Sequence, residues 1–139
     1  HRAVHILIFN EIGELLLQKR SPWKDRHPLL WDSSAAGHVE ANEQYDETAA
    51  REVKEELGVA LQLQPIGKLQ ASQRTGQEFI TVYHGEHSGP FCYPPDEISA
   101  VEFFPIDVVE RWLANKPGDF APGFVESWRL YKAKSRPLL

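Results

Sequence analysis

Apolar positions along the chain fall into short runs separated by polar segments, and in one longer stretch they recur at helical spacing. The runs AVHILIFN (3–10) and ELLLQKR (14–20) are rich in strand-forming residues and predict a hairpin, because a short turn joins them. Four further segments are predicted to be strands: 31–40, 60–73, 78–87 and 98–106. The pattern therefore predicts six strands.

The stretch with helical spacing covers residues 44–57, where Val53 and Leu57 belong to one apolar stripe. Gly58 follows directly, and glycine commonly ends a helix because it adopts the left-handed conformation at little cost. Two more helices are predicted towards the C-terminus: 107–115 and one within 120–136. Strands interleaved with helices predict an α/β fold built in layers.

Composition narrows the setting of this fold. The 139 residues, 42% of them hydrophobic, suffice for a single domain (1–139) with a buried core. A formal net charge of -5 argues against a nucleic-acid partner, whose binding surface is usually basic. No apolar run approaches the roughly 20 residues of a membrane-spanning helix, so we expect no membrane partner.

The cysteine content bears on the cellular location of the protein, and the first residue bears on whether residues precede this sequence. Cys92 is the only cysteine, which excludes an internal disulfide and favours a cytoplasmic location. Because the chain starts at His1, without Met, and runs at once into a predicted strand, we expect upstream residues to be missing.

Three glutamates lie close together on one face of the predicted helix: Glu52, Glu55 and Glu56. Like charges at this spacing destabilise an exposed helix by roughly 0.2–0.5 kcal/mol per pair. A divalent cation would reverse that sign, since carboxylate oxygens are ligands that Mg²⁺ and Mn²⁺ prefer. Acidic runs with nearby Lys and Arg are more often solvated helix faces. The motif that surrounds these three residues favours the metal site.

Gly37, then Glu43 six positions on, then the run REVKEELGV (51–59) satisfy every fixed position of the Nudix box, G-x5-E-x7-R-E-U-x-E-E-x-G-U with U aliphatic. The chain therefore resembles a Nudix hydrolase. The resemblance implies an α/β/α sandwich with a mixed β-sheet. It also implies hydrolysis of a small-molecule diphosphate linked to another moiety, with Mg²⁺ or Mn²⁺ as the cofactor.

The resemblance further implies roles for individual residues. The expected metal ligands are Glu52, Glu55, Glu56 and the carbonyl of Gly37. The expected supporting residues, which orient the glutamates, are Glu43 and Arg51. The base that accepts the proton of the attacking water is either a glutamate of the box or one from a distant loop, for which Glu97 is the candidate. A solvated glutamate at the start of a strand is an equally good interpretation of Glu97.

Basic residues near the loop that follows the second predicted strand are candidates for binding phosphate oxygens: Arg20, Lys24 and Arg26. Solvated surface charge explains them equally well. Four aromatic residues are candidates for stacking on a base or packing against a prenyl chain, although core packing is the commoner role: Trp23, Trp31, Phe79 and Tyr83.

Within the family, the runs LLWDSSAAGHV and DEI resemble the branch that contains type I isopentenyl-diphosphate isomerase. The isomerase has a Cys before its Gly-His pair, where this chain has Ala36. Isomerases also lack some fixed residues of the Nudix box, whereas the box is complete here. Both differences favour hydrolysis over isomerisation. Three residues match positions of the isomerase metal site and define a second candidate metal site: His1, His38 and Glu78.

A third alternative is a non-catalytic Nudix module that binds a diphosphate. Such modules normally lose glutamates of the box, so the intact set favours catalysis. The family often forms homodimers, and the sequence leaves that state open here.

Overall fold

Seven strands form one mixed β-sheet in the computed structural model, which describes residues 1–135. The strands are β1 (Arg2–Phe9), β2 (Leu15–Arg20), β3 (Trp31–Asp32), β4 (Ala35–His38), β5 (Gln64–Leu69), β6 (Phe79–Glu86) and β7 (Ile98–Phe104). The helices are α1 (Tyr45–Leu57), α2 (Ile106–Asn115) and α3 (Pro122–Ser135), with a 3₁₀ turn at Pro117–Asp119. No helix within these residues is long and apolar enough to span a membrane.

Strand β1 is the centre of the sheet. It pairs in parallel with β6 and antiparallel with β2 and β4, and its Val4 lies opposite Gly37 of β4. Strand β2 pairs in turn with β3 and β7, and β6 pairs with β5. This order brings the strand that leads into α1 directly beside the most buried strand of the fold.

The side chains of β1 alternate between two apolar cores, as the period of a strand requires. Ala3 and Leu7 pack in one core with Phe124 and Trp128 of α3. Val4, Ile6 and Ile8 pack in the other with residues of α1, among them Val53 and Leu57. The sheet therefore has helices against both faces, which confirms the predicted α/β/α sandwich with a mixed sheet.

Helix α1 agrees with the predicted helix to within one residue. Gln44 caps it, and the Glu47 side chain accepts the Gln44 backbone N–H at 2.8 Å in a capping box. Gly58 adopts φ +72° and donates its N–H to the Lys54 carbonyl. Local sequence thus fixes both ends of the helix that carries the glutamates.

The segment 31–40, predicted as one strand that leads into a tight turn, contains two short strands that pair with different neighbours. The reason is Ser34, whose buried hydroxyl donates to the Leu16 carbonyl at 2.5 Å and accepts the Ile8 N–H at 2.8 Å. Ser34 thereby bonds to both β1 and β2 at the point where the chain passes from β3 to β4. The prediction of a single strand was wrong because a hydroxyl here replaces ladder hydrogen bonds.

The predicted ends of some other elements were less accurate. The strand predicted at 60–73 is confined to Gln64–Leu69. The last helix was predicted within 120–136, and residue 136 lies outside the described residues, as do the final three of the predicted domain. Of the four aromatic candidates, Tyr83 is buried and Trp31 packs among the aromatic residues of the core, whereas Trp23 and Phe79 are exposed.

Candidate active site

A cleft of about 670 Å³ contains most of the residues that the sequence predicted to be functional. Those on its walls are Arg20, Lys24, Arg26, Gly37, His38, Arg51, Glu52, Glu55, Glu56, Glu78 and Glu97. A larger depression of about 1190 Å³ shares no lining residue with this cleft and includes none of the predicted residues. The residues that the sequence predicted to be functional are therefore concentrated in the smaller cleft.

Gly37 and Glu52 are in close contact where β4 passes α1. A Cβ atom added at residue 37 would lie 1.7 Å from Glu52 Oε2. The absence of a side chain at Gly37 therefore allows the Glu52 carboxylate to lie against the strand, within reach of its backbone. This contact explains in steric terms why the motif begins with glycine.

Glu52 and Glu56 place two carboxylates side by side in the cleft. Burial raises the pKa of Glu56 well above its ordinary range, and the neighbouring Glu52 carboxylate raises it further. Burial also raises the pKa of Glu52, of which 9% is exposed. Two neighbouring carboxyls that resist ionisation together have the donor chemistry that a divalent cation fits, since a cation compensates both charges.

Arg51 organises the remaining acidic groups. Its Nε and Nη2 donate to the two carboxylate oxygens of Glu43 at 2.7 and 2.9 Å, and its Nη1 donates to Glu52 at 2.8 Å and Glu55 at 3.2 Å. The hydrogen bonds from Arg51 lower the pKa of Glu43 to about 2. Glu43 and Arg51 thus form a charged support beneath Glu52 and Glu55.

The glutamates do not stand as a preformed cage. Within residues 1–135, no three His, Cys, Asp or Glu side chains converge in the arrangement of a metal site. Glu52 is the neighbour of both other glutamates, and Glu55 is exposed and accepts a hydrogen bond from Arg51. Only Oε2 of Glu55 is bonded to Arg51, so its other carboxylate oxygen can contribute to a cation while that bond is kept.

Sequence reasoning missed Gln18. Its amide Nε2 donates to Glu56 Oε1 at 2.7 Å and to the Ser34 carbonyl at 3.1 Å, and only 5% of the residue is exposed. A signal was available, since the alternation of β2 puts Gln18 on the same face as buried Leu16, and a buried amide requires partners. Gln18 therefore orients the Glu56 carboxylate in the cleft.

We expect Gln18→Leu to reduce turnover by roughly 10–100-fold, the usual cost of removing a group that orients a metal ligand. The reason is that Glu56 loses its amide donor and the freedom of its carboxylate increases. Steady-state kinetics of a folded variant would measure this effect. Gln64→Leu, at an exposed position of β5 outside the cleft, is the matched control and should retain full activity.

The three basic residues lie together on the cleft wall, each with a different contact. Arg20 Nη1 lies 3.3 Å from Asp32 Oδ2, and Lys24 Nζ lies 2.5 Å from Glu97 Oε2. Arg26 lies against Gly76, where an added Cβ would be 2.9 Å from its Nη2. The cleft thus has a carboxylate-rich wall on α1 and a basic wall on the loop after β2.

The residues of the second candidate metal site are also neighbours. His38 Nε2 contacts Glu78 Oε2, and both residues line the cleft. The ring of His1 lies 5.9 Å from that of His38, centroid to centroid, and His1 is not part of the cleft lining.

His5 is a second residue that sequence reasoning missed. Its ring is buried, lines the cleft, and bonds through Nδ1 to the Ser33 hydroxyl at 2.7 Å. Burial lowers the pKa of His5 below its ordinary value, against the opposing effect of nearby Asp32. The alternation of β1 could have indicated a residue of the interior here, but nothing in the sequence marks it as part of the cleft.

This lowered pKa predicts a pH dependence of folding stability. Unfolded His5 binds a proton at its ordinary pKa of about 6.5, whereas folded His5 resists protonation, so the stability present above that pH falls on acidification. The slope from one imidazole is at most about 1.4 kcal/mol per pH unit. Urea unfolding between pH 7.5 and 5 should show a steeper loss for the wild type than for His5→Asn. Equal slopes would contradict the assignment.

Comparison with known proteins agrees with this geometry. The NUDIX domain model matches residues 1–124 of the chain. Nudix hydrolase 3 of Arabidopsis thaliana is 35% identical over 137 residues, which make up 88% of this chain but 18% of that protein. A Nudix hydrolase of Yersinia pestis is 34% identical over 136 residues, 97% of this chain and 72% of the relative. An isopentenyl-diphosphate Delta-isomerase of Nocardia farcinica is 31% identical over 142 residues, 98% of this chain and 81% of the relative.

Solved structures have the same fold. The crystal structure of DR0079 from Deinococcus radiodurans superposes with a TM-score of 0.79 at 28% identity, over 97% of this chain and 83% of that one. The chain therefore belongs to the Nudix family and is, by class, a Nudix pyrophosphohydrolase. The family acts on small-molecule substrates, and relatives named as hydrolases and as isomerases both occur at about this level of identity.

Proposed function

We propose that the chain hydrolyses a diphosphate linked to another moiety, with Mg²⁺ or Mn²⁺ bound by Glu52, Glu55, Glu56 and the carbonyl of Gly37. The observation that carries this proposal is the shared cleft: three glutamates of α1 (Glu52, Glu55 and Glu56) line it together with three basic side chains. A substrate that suits both walls is a polyanion that binds together with cations.

Each wall has its own task in this proposal. Arg20, Lys24 and Arg26 bind phosphate oxygens, since guanidinium and ammonium groups form strong charge-assisted hydrogen bonds with them. On the other wall, Arg51 fixes Glu52 through a 2.8 Å bond, and Gln18 fixes Glu56 through a 2.7 Å bond. When bound, a divalent cation neutralises the diphosphate and makes water more acidic.

The chemical step is attack of water on a phosphorus atom of the diphosphate. A new P–O bond forms, the bond from phosphorus to the bridging oxygen breaks, and the leaving phosphoryl group departs with that oxygen. The water proton passes to a carboxylate, either a glutamate of the box or Glu97. Lys24 holds Glu97 at the cleft wall, and its ammonium has further N–H donors for a phosphate oxygen.

A second ion at His1, His38 and Glu78 is a further part of the proposal. The contact between His38 and Glu78 supports it, because an imidazole and a carboxylate in contact supply two donors to one cation. Calorimetric titration with Mn²⁺ should give two sites in the wild type and one in His38→Ala. A stoichiometry of one in both proteins would remove the second ion from the proposal.

The activity itself is tested with a panel of nucleoside di- and triphosphates, nucleotide sugars including ADP-ribose, thiamine diphosphate and prenyl diphosphates. Phosphate or monophosphate release should occur with at least one class, require Mg²⁺ or Mn²⁺, and stop on addition of EDTA. Double-bond migration in isopentenyl diphosphate without phosphate release would favour an isomerase instead. Binding without turnover by metal-loaded, folded protein would favour a non-catalytic module.

The isomerase alternative has one specific observation against it. Ala36 stands where the isomerase has its Cys, and the Ala36 N–H lies 3.4 Å from Glu56 Oε1. Ala36 therefore lines the cleft without a thiol, and Cys92 does not belong to the cleft lining.

A further inference from the structure

Asp32 is a buried carboxylate on the cleft wall to which the hydrolysis proposed above gives no task. Only 5% of the residue is exposed, although it belongs to the lining of the cleft. A buried carboxylate is costly unless charged or hydrogen-bonding partners compensate it. The partners of Asp32 therefore indicate what the buried carboxylate does in the cleft.

Arg20 is the cation that compensates Asp32. Its Nη1 lies 3.3 Å from Asp32 Oδ2, while Oδ1 accepts the Ser33 backbone N–H at 2.7 Å. His5 Nδ1 lies 3.9 Å from Oδ1, but burial lowers the pKa of His5 and so disfavours the charged form of its ring. Within residues 1–135, Arg20 is thus the only full positive charge paired with Asp32.

A second contact fixes the plane of the Arg20 guanidinium. Its Nε donates to the Arg26 carbonyl at 3.0 Å, in addition to the bond from Nη1 to Asp32. A guanidinium has five N–H donors, so three remain for a ligand in the cleft that Arg20 lines. An arginine already held in one orientation loses little freedom when it binds a phosphate.

The register of the sheet puts Asp32 beside Gln18. The two residues are direct partners across β2 and β3, so their side chains lie on the same face. Gln18 holds Glu56 on the carboxylate wall, and Asp32 holds Arg20 on the basic wall. Gln18 and Asp32 are thus neighbouring buried polar groups. Gln18 orients a carboxylate on one wall of the cleft, and Asp32 orients a cation on the other.

We infer that Asp32 is a positioning residue for diphosphate binding, which holds the Arg20 guanidinium in the orientation that contacts the phosphate oxygens. The inference rests on the function proposed above, because it takes this cleft to be the diphosphate site. A carboxylate that only fastened the loop 21–30 to the sheet would stabilise the fold without changing ligand affinity. The two roles therefore differ in a measurable way.

The test is calorimetric binding of imidodiphosphate, a diphosphate analogue that resists hydrolysis, in the presence of Mg²⁺. Asp32→Asn should weaken binding about tenfold, because one oriented, charge-assisted contact is lost. Arg20→Ala should weaken it at least as much, and the double variant should bind no more weakly than Arg20→Ala alone. Arg20→Lys keeps the charge without the planar fork and should also lose about tenfold.

Asp119→Asn is the matched control. Asp119 also accepts a hydrogen bond, from Trp112 Nε1 at 2.8 Å, but it lies outside the cleft, so its loss should leave the affinity unchanged. Wild-type affinity in folded Asp32→Asn, or a full additive loss in the double variant, would overturn the positioning role. If Asp32→Asn does not fold, wild-type affinity in Arg20→Lys overturns it equally.

Turnover separates this inference from the proposed function. If the wild type binds imidodiphosphate in a manner that depends on Asp32 but cleaves no diphosphate, the positioning role stands and the proposed hydrolysis is wrong. If diphosphates are cleaved while Asp32→Asn lowers only kcat and leaves the affinity unchanged, hydrolysis stands and the positioning role is wrong.

Discussion

Glu56→Gln is expected to reduce hydrolysis by at least about 1000-fold without loss of the fold. The variant keeps the shape and the bond to Gln18 Nε2, but it removes one of the two contacting carboxylates. A divalent cation contributes several kcal/mol of charge stabilisation in such reactions, and about 4 kcal/mol corresponds to roughly 1000-fold. Initial rates at saturating Mg²⁺, on any substrate that the panel identifies, would measure the loss.

The same variant has a second signature in stability. Because burial disfavours the ionised form of Glu56, the neutral amide should raise the midpoint of thermal unfolding in metal-free buffer at pH 7.5. Mg²⁺ should then raise the midpoint of the wild type, since a ligand of the folded state stabilises it, and should leave that of Glu56→Gln nearly unchanged. Glu102→Gln, exposed on β7, is the control that should match the wild type in both readouts. An active Glu56→Gln, or an equal response to Mg²⁺, would contradict the proposed metal site.

Gly37→Ala should reduce turnover by about 100-fold and should also lower stability, without unfolding the protein. A Cβ at residue 37 would occupy the place of Glu52 Oε2, at 1.7 Å, so the carboxylate must turn away from β4. Glu52 Cδ and Cγ would also lie only 2.2 and 2.7 Å from that Cβ, so most of the side chain must rotate, which costs folding free energy of roughly 1–3 kcal/mol. Misplacing a catalytic group by about 1 Å can cost about 100-fold in rate. Kinetics and thermal unfolding of the same preparation would separate the two effects.

Gly118→Ala is the matched control for this substitution. A Cβ at residue 118 meets nothing within 4 Å, so activity and stability should both be close to wild type. If Gly37→Ala keeps full activity, the contact between Gly37 and Glu52 does not fix the position of the carboxylate. If it unfolds the protein, the contact serves packing of β4 against α1 rather than the cleft.

The sequence predicted the bounds of the acidic helix α1 better than it predicted how far each of its glutamates is buried. Period and end signals are local, so α1 and its Gly58 terminus followed from the residues themselves. The three glutamates were expected close together on one face of the helix. In the structure, Glu52 is buried and Glu55 is exposed, because the stripe that packs on the sheet includes the side of the helix that carries Glu52.

Strand ends were the weaker part of the prediction. The segment 31–40 alternates and contains small residues, which are features of a strand, yet the hydroxyl of Ser34 divides it by bonding to Ile8 and Leu16. These contacts join residues 26 and 18 positions apart in sequence. No local pattern encodes them.

The sequence by itself determined the family, the layered α/β fold and the helix with its glutamates, since these depend on residue spacing within short segments. Only the tertiary structure decided which distant groups meet those glutamates. Gln18 reaches Glu56 across 38 positions and Lys24 reaches Glu97 across 73, because sheet register brings together strands far apart in sequence. Asp32 and His5 became part of the cleft for the same reason. A buried polar side chain is placed by its partners, and those partners are set by the packing of the whole chain.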